Sequence, residues 1–268
     1  MPLGILPVGL LLSSGALVGL TLALIGGGGS ILAVPLLVYL VGVPSTHLAI
    51  GTSAVAVALN AASGLASHAR LGTVKWPCAI VFAAAGIAGV LLGASLGKRL
   101  GGTELLALFG LAMIGIGIYM VVFRPELAAE DVRLTPATAA RLLPRLLGFG
   151  LGVGLLSGFF GIGGGFLIVP GLMLATGMAL QNAIGTSLFA VTAFGLATAA
   201  SYAWSGLVDW RLALLVIAGG LIGSLIGARA NALLAARKRS LAIAFAAVVI
   251  AAGCYVAASG LATLLGRA

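Results

Sequence analysis

Two identical triplets of glycine and hydroxyl residues carry the clearest candidate chemistry in this sequence. They read Gly51-Thr52-Ser53 and Gly185-Thr186-Ser187. Threonine and serine hydroxyls can cap a helix or donate hydrogen bonds to a bound oxyanion. Neutral amides accompany them, since Gln181 and Asn182 precede the second triplet and Asn60 lies within an apolar segment. These residue types predict a site that binds a small anion through uncharged donors. The alternative is that the hydroxyls bond carbonyls of their own helix.

A run of glycines interrupts an apolar segment ahead of each triplet. The first run is Gly26, Gly27, Gly28 and Gly29, followed by Ser30, and the second is Gly161, Gly163, Gly164 and Gly165. Consecutive glycines weaken a helix, and the freed backbone groups must face protein or a polar cavity rather than lipid. Helices restarting at Ser30 and Phe166 would present unpaired N–H groups that suit an anion. The alternative is that the glycines only allow helices to cross closely.

Charged side chains are missing from the interior of every apolar segment. A metal-cation pathway usually needs carboxylates, so the predicted guest is an anion held by neutral dipoles. His47 and His68, both near segment ends, are the candidates for a proton relay. The sequence has no Cys-x-x-Cys, no catalytic triad and no complete Gly-x-Gly-x-x-Gly. We therefore expect no metal, no cofactor and no enzymatic activity.

The glycine runs and triplets belong to a longer duplication. Residues 15–97 recur at residues 150–231, with Val34-Pro35 matching Val169-Pro170 and Trp76 matching Trp210. A duplicated apolar unit that is interrupted at corresponding places is typical of transporters, with the site at the interruptions.

Composition predicts an all-α polytopic membrane protein. The chain has 268 residues, of which 62% are hydrophobic and 7% charged, and its mean hydropathy is +1.27. Soluble proteins carry about 25% charged residues, so the low charged fraction indicates that most of this chain lies in a lipid bilayer. The net charge of +9 comes from basic residues that lie between the apolar segments. Basic residues in these places determine membrane topology, so we expect no nucleic-acid partner. A homo-oligomer is left open.

Ten apolar segments can be drawn, five in each copy. We predict about eight full transmembrane helices plus two short, broken or re-entrant segments, because residues 31–43 span only about 20 Å as a helix. The predicted organisation is a first transmembrane repeat at 1–123, a polar linker at 124–145 that could include a short surface helix, and a second repeat at 146–268.

The relative orientation of the two repeats can be read in two ways. Lys98-Arg99 and the run at 237–239 occupy equivalent places, and the positive-inside rule assigns both to the cytoplasm. That assignment favours parallel repeats with re-entrant short segments, although Arg70 and Lys75 mark a competing basic loop. Five full crossings in each copy would instead give inverted repeats.

The order of these motifs resembles the sulfite exporter TauE/SafE family of membrane permeases. The resemblance rests on a glycine run, a Val-Pro pair and a Gly-Thr-Ser triplet, all duplicated. It implies transport of small sulfur-containing anions, such as sulfite, sulfoacetate or related organosulfonates, across the bacterial cytoplasmic (inner) membrane by a multi-pass protein. Alternating access of a mid-membrane site between the two breaks is the expected mechanism. The rival hypotheses are a carrier or channel for another small solute and a non-transporting membrane scaffold or lipid-modifying enzyme.

Overall fold

The described part of the chain consists of helices joined by short loops. The computed structural model describes residues 5–25, 30–122, 134–161, 165–233 and 238–265. Its helices are α1 (Ile5–Ile25), α2 (Ser30–Leu40), α3 (Thr46–Arg70), α4 (Trp76–Gly97), α5 (Gly102–Val122), α6 (Pro136–Phe160), α7 (Gly165–Thr176), α8 (Leu180–Trp204), α9 (Trp210–Leu233) and α10 (Lys238–Leu265). Seven of these are long and apolar enough to cross a membrane, and α1 adds a further helix of 21 residues. The predicted all-α polytopic membrane fold is confirmed.

The second helix of each copy is short. Helix α2 opens as a 3₁₀ turn at Ser30, becomes α-helical at Ala33–Pro35 and continues as a π-helix over Leu36–Leu40. Helix α7 has 12 residues and contains Pro170. At 1.5 Å per residue each helix is about 16–18 Å long, which is well short of a 30 Å hydrocarbon core. The two short segments therefore lie where the sequence predicts them.

Helix α6 starts earlier than the sequence predicts. It begins at Pro136, so residues 136–145, which were assigned to the linker, are helical. Thr135 and Thr138 form a capping box, and Pro136 supplies the fixed φ that suits the first helical position. Arg141 and Arg145 face outward while Leu142 and Leu146 are buried. This amphipathic pattern explains how a polar stretch continues an apolar helix.

Glycine stripes bring two pairs of helices into close contact. On α4, Gly89 and Gly93 lie against the backbone of α6 at Leu151 and Leu155. On α9, Gly219, Gly223 and Gly227 lie in the same way against Leu12, Ala16 and Leu20 of α1. Because the residue numbers rise together along both pairs, the helices in each pair run parallel. A β-carbon at these positions would meet backbone atoms, so the stripes are packing faces.

Corresponding helices of the two copies run in opposite directions. Ala58 of α3 faces Gly195 of α8, whereas Gly64 faces Leu188. On α5 and α10, Ala107 faces Gly260, Gly110 faces Ala257 and Gly117 faces Ile250. Antiparallel equivalents are expected of inverted copies, not of parallel ones. The parallel arrangement that the basic residues favoured is therefore not the one in the structure, because α4 and α9 finish at opposite ends of the bundle.

Candidate functional site

The first Gly-Thr pair joins α3 to the start of α9. Thr52 is fully buried, and its Oγ1 accepts a hydrogen bond from the backbone N–H of Asp209 at 3.0 Å. Gly51 lies against the carbonyl oxygen of Leu207, where a β-carbon would collide. The glycine allows the loop to approach, and the threonine hydroxyl then satisfies a backbone donor that the helix leaves unpaired.

The second Gly-Thr pair makes the equivalent contact from α8 to the start of α4. Thr186 Oγ1 accepts a hydrogen bond from Lys75 N at 3.0 Å, and Gly185 lies against Thr73. Residues 73 and 75 correspond to residues 207 and 209 in the duplicated sequence. We call these two arrangements the Gly-Thr clasps. Each clasp attaches one copy to the other.

The serines of the triplets bond within their own helices. Ser53 Oγ donates to the carbonyl of Ile50 at 2.9 Å, and Ser187 Oγ donates to the carbonyl of Ile184 at 2.7 Å. This is the alternative that sequence analysis left open for the hydroxyls, and it holds for both serines. Their donor hydrogens are therefore occupied in this state of the protein.

The two clasps lie near opposite ends of the α3–α8 pair. Relative to the Ala58–Gly195 contact, Thr52 lies toward one end of the helix pair and Thr186 lies toward the other end. At 1.5 Å per residue the two hydroxyls are separated by roughly 20 Å along the bundle. The structure therefore does not bring Thr52, Ser53, Thr186 and Ser187 together around one guest.

Asn60 is the predicted site residue with unmet hydrogen-bonding capacity. Its side chain is 1% exposed, and neither Nδ2 nor Oδ1 has a partner in the described part of the protein. The carboxamide of this α3 residue lies against Gly220 of α9, which also contacts Gly19 of α1. A buried amide without partners costs a few kcal/mol, and such groups mark places where water or a ligand binds.

The other predicted residues fall into three groups. Gly26, Gly27, Gly28, Gly29, Gly163 and Gly164 lie outside the described residues. Ser30 and Gly165 are buried at the first positions of α2 and α7, and Gly161 ends α6 with a φ of 68° against Ile50. Gln181 is exposed and Asn182 is partly buried in the first turn of α8.

Three buried serine and threonine hydroxyls that lack partners among the described residues were not predicted from the sequence. These are Ser14 of α1, Ser157 of α6 and Thr198 of α8. Each is a hydroxyl residue on the apolar, inward face of its helix, and that position is the signal by which the sequence could have indicated it.

An open groove of about 440 Å³ lies beside the first clasp and is lined by Leu48 and residues 208–211. In the described residues no group of three or more His, Cys, Asp or Glu could hold a metal ion.

Comparison with known proteins fixes the family. The family described as "Sulfite exporter TauE/SafE" matches residues 11–256. The chain belongs to this family. The match extends over both copies and both clasps, so the TauE/SafE assignment concerns the whole bundle and not one motif.

Curated relatives carry transporter names. A "Probable membrane transporter protein" of Xylella fastidiosa is 46% identical over 245 residues, covering 91% of this chain and 93% of that protein. One from Haemophilus influenzae is 30% identical, covering 72% of each chain. "Probable membrane transporter protein YdhB" of Bacillus subtilis is 28% identical, covering 80% of this chain and 86% of its own length. No solved structure shows significant similarity. This TauE/SafE chain is thus a multi-pass member of a membrane transporter family.

Proposed function

We propose that this TauE/SafE protein carries a small sulfur-containing oxyanion, such as sulfite or an organosulfonate, by alternating access. The observation that carries the proposal is the buried, unpaired carboxamide of Asn60, in a bundle whose buried side chains among the described residues include no Lys, Arg, Asp or Glu. Its NH₂ group is a neutral donor of the kind that can replace water around an anion. The proposal is of a transporter and not of an enzyme, and the transporter names of the curated relatives support it.

The arrangement of helices supports movement between two states. Antiparallel equivalents place one Gly-Thr clasp near each end of the α3–α8 pair. Opening the bundle toward one side requires the loss of only the clasp at that side, while the other clasp holds the copies together. Inverted copies around a central site are the usual basis of alternating access.

The distribution of charge supports an orientation in the bacterial cytoplasmic membrane. One end of the bundle holds most of the basic residues in the described part, at Arg70, Lys75, Arg141, Arg145, Arg229, Lys238 and Arg239. The opposite end holds Lys98, Arg99 and Arg211. By the positive-inside rule the first end faces the cytoplasm, and the end with Thr52 and Lys98 faces outward.

A binding screen on the purified chain tests the oxyanion. The panel is sulfite, thiosulfate, sulfoacetate, sulfate and simple carboxylates, read as the shift in unfolding temperature with anion concentration. We expect a saturable rise for at least one sulfur oxyanion and loss of that rise in Asn60→Ala. A rise with neutral solutes only would favour the rival carrier, and no rise with any solute would favour the scaffold.

A further inference from the structure

The face of α1 that packs toward α3 contains a buried serine, Ser14. Leu11, one turn earlier, belongs to the apolar cluster that includes Ala56 of α3, and Val18, one turn later, belongs to the cluster that includes Val57 of α3. The side chain of Ser14 is 2% exposed, and its hydroxyl has no partner among the described residues. An unpaired hydroxyl thus lies on the α3 side of α1, between two apolar layers.

Helix α9 brings this hydroxyl and the carboxamide of Asn60 into one corner. A β-carbon on Gly220 of α9 would meet the carboxamide of Asn60, and a β-carbon on Gly15 or Gly19 of α1 would meet backbone atoms of Gly220. Ser14 immediately precedes Gly15, so both unpaired groups lie where α1, α3 and α9 meet. At 1.5 Å per residue Asn60 is about 12 Å from the first clasp along α3, so this corner lies near the middle of the bundle.

The hydroxyl of Ser14 also lacks the local bond that other helical serines of this protein make. Its neighbour Ser13 donates to the carbonyl of Leu10 at 3.0 Å, and Ser53 and Ser187 donate to carbonyls three residues earlier in the same way. Such a bond within the helix is available to serine in general. A buried hydroxyl that does not make it, beside an amide that is also unpaired, points to a polar partner shared by the two groups.

The corresponding place in the second copy is aromatic. Phe194 corresponds to Asn60, and Gly86 corresponds to Gly220. A β-carbon on Gly86 would meet the ring of Phe194, which stacks on the ring of Phe82 with centroids 6.2 Å apart. A phenyl ring has neither the N–H donors nor the carbonyl acceptor of a carboxamide. Within the described helices the duplication therefore gives an amide at one of the two equivalent places and an aromatic pair at the other.

We propose that Ser14 donates a second hydrogen bond to the anion at Asn60, and that each chain binds one anion, in the corner between α1, α3 and α9. The inference rests on the proposed function. The oxygens of a hydrated anion accept from Asn60 Nδ2 and Ser14 Oγ, and a water bound to the anion donates to Asn60 Oδ1. Because the two donors lie on different helices, the bound anion also joins α1 to α3.

Equilibrium binding of ³⁵S-labelled sulfite, thiosulfate and sulfate to the purified full-length chain tests the inference. We expect one bound anion per chain, and a dissociation constant at least about tenfold larger in Ser14→Ala, since the variant loses a hydrogen bond to a charged group. Ser14→Thr keeps a hydroxyl and should bind more tightly than Ser14→Ala. The matched control is Ser157→Ala, which removes a buried and unpaired serine hydroxyl from α6 and should bind the anion like the wild type.

The unfolding temperature without anion separates a ligand from a structural residue. Ser14→Ala should unfold at the wild-type temperature without anion and show a smaller rise when the anion is added. Two equivalent anions per chain, wild-type affinity in Ser14→Ala, or an equal loss of affinity in Ser157→Ala would overturn the inference and leave the proposed function standing. Binding of none of the three anions by the wild type would overturn the proposed function, and the inference with it.

Discussion

The hydroxyl of Thr52 accepts a hydrogen bond from the backbone N–H of Asp209, 157 residues further along the chain, at 3.0 Å. Thr186 repeats this contact with Lys75 N in the reverse sense. The threonine of each triplet is thus a bond between the two copies. An inter-copy bond can break when the bundle opens, so these threonines can still affect transport without touching the solute.

Replacing a clasp threonine by the isosteric valine tests that role. Thr52→Val and Thr186→Val leave a backbone N–H without its acceptor, and we expect each to lower the free energy of unfolding by about 1–3 kcal/mol. The readout is the unfolding temperature in detergent. Ser53→Ala is the control, since it removes only a bond within α3 and should cost less. Unchanged stability in both valine variants would contradict the clasps.

The glycine of each clasp should be harder to replace than a glycine elsewhere. Gly51→Ala and Gly185→Ala place a methyl group against Leu207 O and Thr73, so we expect a large loss of folded protein or of stability. Gly115→Ala is the matched control, because that exposed helical position has open space around it. It should be neutral or slightly stabilising, as alanine is the better helix former. Equal effects of the two kinds of substitution, measured as yield and unfolding temperature, would contradict this prediction.

Replacing Asn60 should affect transport far more than stability. Asn60→Ala removes an unpaired buried amide, so the loss of stability should be small, at most about 1 kcal/mol. Transport should fall at least tenfold, because the neutral donor is gone. Unfolding temperature and flux are measured on the same preparation. A stable Asn60→Ala protein with wild-type flux would remove Asn60 from the site.

Much of the fold could be predicted from hydropathy and glycine spacing. Helices α4 and α9 and the short α2 and α7 follow from apolar runs and their interruptions. The relative direction of the two copies could not be predicted, because Lys98-Arg99 and Lys238-Arg239 look equivalent in sequence, whereas α4 ends and α10 begins at opposite ends of the bundle. The role of Thr52 could not be predicted either. A hydroxyl can donate or accept a hydrogen bond, and the partner of Thr52 lies 157 residues away in the sequence. Asn60 could be found because a lone amide in an apolar helix is conspicuous.

The orientation can be checked by labelling in whole bacterial cells. In a background without Cys78 and Cys254, Leu71→Cys and Trp204→Cys place thiols at opposite ends of the bundle, at positions that are 72% and 94% exposed. We expect a membrane-impermeant maleimide to label Trp204→Cys in intact cells and Leu71→Cys only after lysis. The reverse pattern would invert the orientation, and labelling of both in intact cells would contradict opposite ends.

Counterflow in liposomes that contain only this chain tests whether the protein itself carries a sulfur oxyanion. Vesicles are loaded with unlabelled sulfite, or another sulfur oxyanion that stabilises the protein, and radiolabelled anion is added outside. We expect transient uptake that depends on the internal anion, is absent from protein-free vesicles and falls at least tenfold in Asn60→Ala. Uptake no greater than in protein-free vesicles for every sulfur oxyanion, with the protein folded and inserted, would contradict it.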